Sequence, residues 1–168
     1  MTDSIDMSAP IADADQFAVD SERSAASLSS SGVDAASVAR RAAQAAFDKK
    51  AEDVCVLDLT ELSDVCDYFV IATGSNARQC DAVIDEVEEK VAEAFCEHPF
   101  SIEGRDEKTW ILMDYGSVVV HVFTPEARDF YRLETLWNDA PIIDLKEAGI
   151  TDVEYSDRIA KILGEKQD

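Results

Sequence analysis

The stretch WILMDYGSVVVHVF at residues 110–123 restricts the fold more than any other part of the chain, because it reads as two short β-strands joined by a tight turn at Tyr115-Gly116. Side chains alternate across a strand. Ile111, Met113, Val118, Val120 and Val122 therefore share one face, while Trp110, Leu112, Asp114, Ser117, Val119, His121 and Phe123 share the other. The first face is apolar throughout and belongs to a core. The second mixes aromatic, aliphatic and hydrogen-bonding groups. A two-residue turn would pair Asp114 with Ser117, Leu112 with Val119 and Trp110 with His121. That composition suits the centre of a protein interface, and it equally suits a layer with Trp110 packed under the first helix.

The flanking segments supply the rest of a layered domain. DAASVARRAAQAAFDKK from Asp34 is rich in helix-forming alanine and closes on Lys49 and Lys50, so a helix is expected from Ala35 to about Ala51. VCVLDL at 54–59 and DYFVIATG at 67–74 read as neighbouring antiparallel strands. Beyond Gly74, Val83, Ile84, Val87, Val91, Ala94 and Phe95 recur at helical spacing, and Pro99 should stop that helix. FSIEG can add a short strand. Thr124, Pro125 and Glu126 then form a helix start in which cap, first position and first-turn charge agree, with the helix ending before Pro141. VEYSDRIAKILG can form one more short helix, with Ile159, Ile162 and Leu163 inward and Gly164 as its stop. The order implies an α/β fold with a mixed sheet of four or five strands flanked by helices. Three regions result: an acidic disordered tail at 1–33, a domain at 34–145 and an extension at 146–168.

Charge ranks the possible partners. The chain has 36 Asp and Glu against 15 Lys and Arg, a formal net charge of -21. Residues 37–145 alone hold 23 acids and 10 bases, so the folded part is itself acidic. Binding nucleic acid by phosphate neutralisation is disfavoured, and a basic partner is favoured. Cys55, Cys66, Cys80 and Cys96 lie 11, 14 and 16 residues apart with no Cys-x-x-Cys pair, which fits free thiols in a reducing cytoplasm. No leader pattern and no run of roughly 20 apolar residues are present.

The usual marks of catalysis are sparse. Gly74-Ser75 after a strand has no accompanying glycine-rich phosphate motif. A nucleotidyltransferase needs an Asp-x-Asp pair on the following strand, and the strand here offers Leu112 and Asp114, a single carboxylate. Cys96 and His98 lack further metal ligands at a recognisable spacing. Ser117, His121 and Asp114 can be drawn as a catalytic set, but without a nucleophile elbow. No metal or cofactor is expected, nor is an enzyme.

Taken together, CDYFVIATGSNARQ at 66–79, SIEG at 101–104, WILMDYGSVVVHVF at 110–123, and RDFYRLETLW at 128–137 followed by Asp139-Ala140-Pro141 resemble the ribosomal silencing factor family, RsfS, also called Iojap-like proteins. The resemblance implies a small α/β fold related to nucleotidyltransferases but without their active site. It further implies a non-enzymatic protein that binds the large ribosomal subunit through its protein number fourteen, blocks joining with the small subunit when nutrients are scarce, and often forms homodimers. Carried onto this chain, the partner surface centres on Trp110, Leu112, Asp114, Tyr115 and His121, with Arg78, Glu103 and Gly104 as further contacts. Trp110→Ala is then expected to abolish binding with little loss of fold. Ser117 departs from the family's usual Asp after the Tyr-Gly of the hairpin, which removes one charge from that surface. The competing readings are a nucleotide-binding or nucleotidyltransferase-like enzyme, and a dimeric scaffold unrelated to ribosomes.

Overall fold

The computed structural model describes residues 33–151 and 153–167, so the expected tail at 1–33 lies almost wholly outside it. In chain order the elements are α1 (Ala35–Asp48), β1 (Glu52–Asp58), β2 (Tyr68–Thr73), α2 (Ala77–Phe95), β3 (Ser101–Glu103), β4 (Trp110–Asp114), β5 (Val118–Phe123), α3 (Pro125–Tyr131), α4 (Leu133–Leu136) and α5 (Asp157–Gln167). The strands form one mixed sheet of order β1-β2-β5-β4-β3. β2 and β5 run parallel, and the other three pairings are antiparallel. The α/β class and the five-stranded sheet match the expectation.

Several helix boundaries differ from the sequence reading, each for a local reason. α1 stops at Asp48, and the carbonyls of Lys49 and Lys50 accept from the Gln79 side-chain amide at 3.0 and 3.3 Å. Asp34 occupies the N-cap position in extended conformation but makes no side-chain cap hydrogen bond. α2 ends at Phe95, four residues before Pro99, and its C-cap Cys96 has the left-handed conformation, φ 58°. Thr124 caps α3 as expected, accepting from the Ala127 N–H. α5 runs through Gly164 to Gln167, so that glycine is not a stop.

The two sheet faces carry separate cores. On one, Val56, Val70, Ala72, Ile111, Met113, Val118, Val120 and Val122 lie beneath α1 and α2. α1 contributes Ala39, Ala42, Ala43 and Ala46, whose small side chains let the helix come close to the strands. On the other face, Cys55, Leu57, Phe69, Ile71, Trp110, Leu112, Val119 and Phe123 meet Ala127 of α3, Leu133 of α4, Ala140 and Ile159 of α5. The extension is integral to this packing, since Ile150 and Val153 join the first core and Ile159 the second.

Both faces are thus covered, which corrects the expectation of an open hairpin face. Parallel pairing of β2 with β5 requires a crossover helix on one side, and sheets of this kind usually bury both sides. The hairpin register is also corrected. Trp110 pairs with Phe123, Leu112 with His121 and Asp114 with Val119. The register is offset by two residues because the turn falls one residue later than expected, on Gly116-Ser117, with Tyr115 opposite Val118. The Asp114 carboxylate accepts from the Gly116 N–H at 2.6 Å, and the Tyr115 N–H donates to the Val118 carbonyl at 2.8 Å. An offset of two preserves the faces, so the division of side chains read from the sequence survives.

Candidate functional site

The motif residues of the second face form a continuous aromatic layer. Trp110 packs against Phe123 and Tyr131 with ring centroids 4.8 and 4.4 Å apart, and Phe69 meets His121 edge-on at 4.5 Å. Trp137 closes over Phe69 at 5.7 Å. Trp110 therefore lies under Tyr131 at the end of α3, on the opposite side of the sheet from α1.

His121 is the polar member of this layer. The indole Nε1 of Trp110 donates to His121 Nδ1 at 3.1 Å, which places the imidazole proton on Nε2. That Nε2 is buried and has no hydrogen-bond partner among the described residues. Burial, and then the positive charge of Arg128, push the imidazole pKa down to about 3, so the ring is neutral at physiological pH. Because Nδ1 serves the indole and Nε2 has no partner, neither Asp114 nor Ser117 is bonded to the ring, and the Ser117-His121-Asp114 set is not assembled.

A second polar cluster lies at the sheet end under α3 and α4. Arg128, 1% exposed, pairs through Nε with Glu134 at 3.2 Å and donates through Nη1 to Thr73 Oγ1 at 2.8 Å. The same guanidinium lies 3.9 Å from Cys55 Sγ. Burial raises the Cys55 thiol to about 11 despite the nearby cation, so it stays protonated. A buried charge pair of this kind gives no periodic signal, and the sequence reading missed it.

At the Gly74-Ser75 corner the serine's donors are taken up by a neighbouring side chain. Ser75 donates its backbone N–H and its hydroxyl to Gln79 Oε1 at 2.7 and 2.6 Å, and Asn76 caps α2 by accepting from the Gln79 N–H. The Ser75 N–H and hydroxyl and the Gln79 N–H, three donors that could meet an anion there, are already engaged. Among the described residues no three His, Cys, Asp or Glu side chains converge to hold a metal ion, and no helix is long and apolar enough to cross a membrane.

The eight residues expected to meet a partner divide by exposure. Trp110, Leu112, Asp114, Tyr115 and His121 are all buried, between 1% and 8% exposed. Tyr115 also belongs to the opposite core, where burial pushes its phenol pKa upward. These five do not form an open surface: α3, α4 and the aromatic cover lie over the Trp110, Leu112 and His121 side, while Tyr115 packs into the opposite core. Arg78, Glu103 and Gly104 are exposed. A Cβ on Gly104, whose φ is +86°, would stand 2.1 Å from the Trp110 carbonyl oxygen, so only glycine lets this loop press against the start of β4. Register places Arg78 just beyond the end of β2 that aligns with Phe123 and Trp110, which puts all three exposed candidates at one end of the sheet.

Above the layer the surface is apolar and acidic. Phe130 and Leu136 are 61% and 60% exposed on α3 and α4, and Glu126, Asp129 and Asp139 are exposed beside them in sequence. The sequence reading passed over Phe130 and Leu136. RDFYRLETLW holds more large apolar side chains than two short helices can turn inward, and that surplus was the available signal.

The fold and motif layer thus define a mixed-sheet α/β protein whose most distinctive residues pack together beneath an acidic, partly apolar surface. Comparison with known proteins carries this further. The sequence model of the family described as "Ribosomal silencing factor during starvation" matches residues 33–164, and the chain belongs to this RsfS family. It is 43% identical over 109 residues to the ribosomal silencing factor RsfS of Bacillus subtilis, covering 65% of this chain and 92% of that protein. A mouse protein named "Mitochondrial assembly of ribosomal large subunit protein 1" is 35% identical over 91 residues, 53% of this chain and 40% of its own. The crystal structure of a Chromobacterium violaceum protein superposes with a TM-score of 0.60 at 34% identity, covering 62% of this chain and 87% of that one.

Proposed function

We propose that this protein is a ribosomal silencing factor that binds the large ribosomal subunit through its basic protein number fourteen and sterically prevents the small subunit from joining. The reading includes a cytoplasmic location and a homodimer, and light scattering on the full chain tests the dimer directly. Family membership supports the silencing role. The observation that carries the docking surface is the pair of exposed apolar side chains, Phe130 and Leu136, set among acids on the helices that cover the motif layer. Occlusion needs affinity and shape but no chemistry. A net charge of -21 would speed encounter with a basic partner and make binding weaken with salt, while the apolar centre would slow release.

In this reading Arg78, Glu103 and Gly104 lie on the contact surface or its rim, and the five buried motif residues act from beneath by fixing its shape. Phe130→Ser with Leu136→Ser is the direct test, because exposed side chains can be changed without opening a core cavity. The double variant should keep the parent's circular dichroism and unfolding midpoint, yet lose about tenfold or more in co-sedimentation with isolated large subunits. Unchanged sedimentation would place the contact elsewhere.

A further inference from the structure

One partly exposed arginine ties together the elements that cover the motif layer. Arg158, in the first turn of α5, reaches three other elements: Asp53 of β1 at 3.7 Å, Glu134 of α4 at 3.6 Å, and Asp129 of α3 in direct contact. Glu134 is shared, since its other oxygen pairs with the buried Arg128. Asp53 holds a φ of +50° where the β1–β2 register shifts, a backbone irregularity of the kind that re-aims a side chain, here toward Arg158. Three carboxylates and two guanidinium groups leave this junction with an excess of negative charge.

The remaining attachment of α5 is slight. Ile159 is its one buried apolar residue among those described, with Ile162 and Leu163 only partly covered. A hollow of about 640 Å³ lies between the α1–β1 corner and residues 154–156, where Tyr155 anchors the segment leading into α5 by accepting from the Leu145 N–H at 2.8 Å and donating to the Asp144 carboxylate at 2.9 Å. Beyond that anchor, α5 itself is the weakly packed part of the cover.

We propose that α5 is a latch. Docked through Arg158, it holds α3 and α4 in their closed position; when the basic partner supplies its own cations to Asp53, Asp129 and Glu134, α5 detaches and its apolar seat joins the contact. This rests on the large-subunit reading above. The latch predicts that weakening Arg158 favours the partner, whereas an ordinary stabilising contact predicts no gain.

The test uses the full chain with Arg158→Ala and, from the other side of the pair, Asp129→Asn, each followed by hydrogen exchange and by co-sedimentation with large subunits at low salt. Both variants should speed amide exchange in 157–167 several-fold with the strands unchanged, and Arg158→Ala should bind large subunits about tenfold more tightly, as loss of a small network of partly exposed ion pairs would give. Arg158→Lys, which keeps the charge but not the fork, should fall between. Faster exchange with affinity unchanged or lower overturns the latch alone, and unchanged exchange shows that Arg158 does not hold α5. Parent and variants all failing to sediment overturns the large-subunit reading, and the gating role with it.

Discussion

Lowering the pH from 7 to 5 should cost this fold about 2 kcal/mol through His121 alone. In the unfolded chain an imidazole titrates near 6.5, whereas in the folded protein burial and Arg128 hold His121 at about 3. Between those values the unfolded state binds the extra proton, so stability is present above pH 6.5 and is lost as the pH falls toward 3. The limiting slope is about 1.4 kcal/mol per unit, and integration from pH 7 to 5 gives about 2 kcal/mol. Comparison with a variant that cannot titrate at this position isolates the histidine. The assay is urea unfolding at pH 7, 6 and 5 for the parent and for His121→Asn. Asn cannot titrate, and its carbonyl stands near the Nδ1 position that accepts the Trp110 indole. The variant should be weaker at pH 7 because it leaves space, but its loss between pH 7 and 5 should be smaller than the parent's by about 2 kcal/mol. Equal pH dependence in the two proteins would refute the placement of a neutral, buried His121.

Trp110→Ala should destabilise the fold by about 3–5 kcal/mol by emptying the centre of the aromatic layer. Trp110→Phe keeps most of the packing but strips His121 Nδ1 of its donor, at about 1–3 kcal/mol; equilibrium unfolding measures both, and loss of partner binding in either would have to be separated from loss of fold. Glu134→Gln should cost about 3–5 kcal/mol by leaving the buried Arg128 charge uncompensated, while the double change with Arg128→Met should recover part of it in a double-mutant cycle.

Local pattern was enough to locate most elements. Alternation in 110–123 separated the two hairpin faces correctly, and Thr124-Pro125 marked the start of α3. The register was misread because the turn sits on Gly116-Ser117 and not on Tyr115-Gly116, a placement that goes with the bond from the Gly116 N–H to the Asp114 carboxylate, which composition does not show. The accessibility of the Trp110 face was misread for a different reason. Mixed polarity signals an interface only when the polar groups lack partners within the chain, and here the Trp110 indole satisfies His121 Nδ1 while α3 and α4 cover the rings. The Arg128-Glu134 pair and the Arg158 junction join residues distant in sequence or placed on different elements, so no periodicity could announce them. The motif residues were recognised as a group, but it took packing to show that they lie beneath the surface.

The most direct test of the central claim is a subunit-joining measurement, in which purified full-length protein is incubated with isolated large subunits before small subunits are added and the joined particle is quantified by light scattering. Silencing by occlusion predicts that joining falls in proportion to the protein bound, saturates near one equivalent per large subunit, and recovers as salt weakens the acidic surface's hold. Full joining with the protein still bound to the large subunit would contradict occlusion, and no binding at low salt by a folded protein would contradict the docking claim itself.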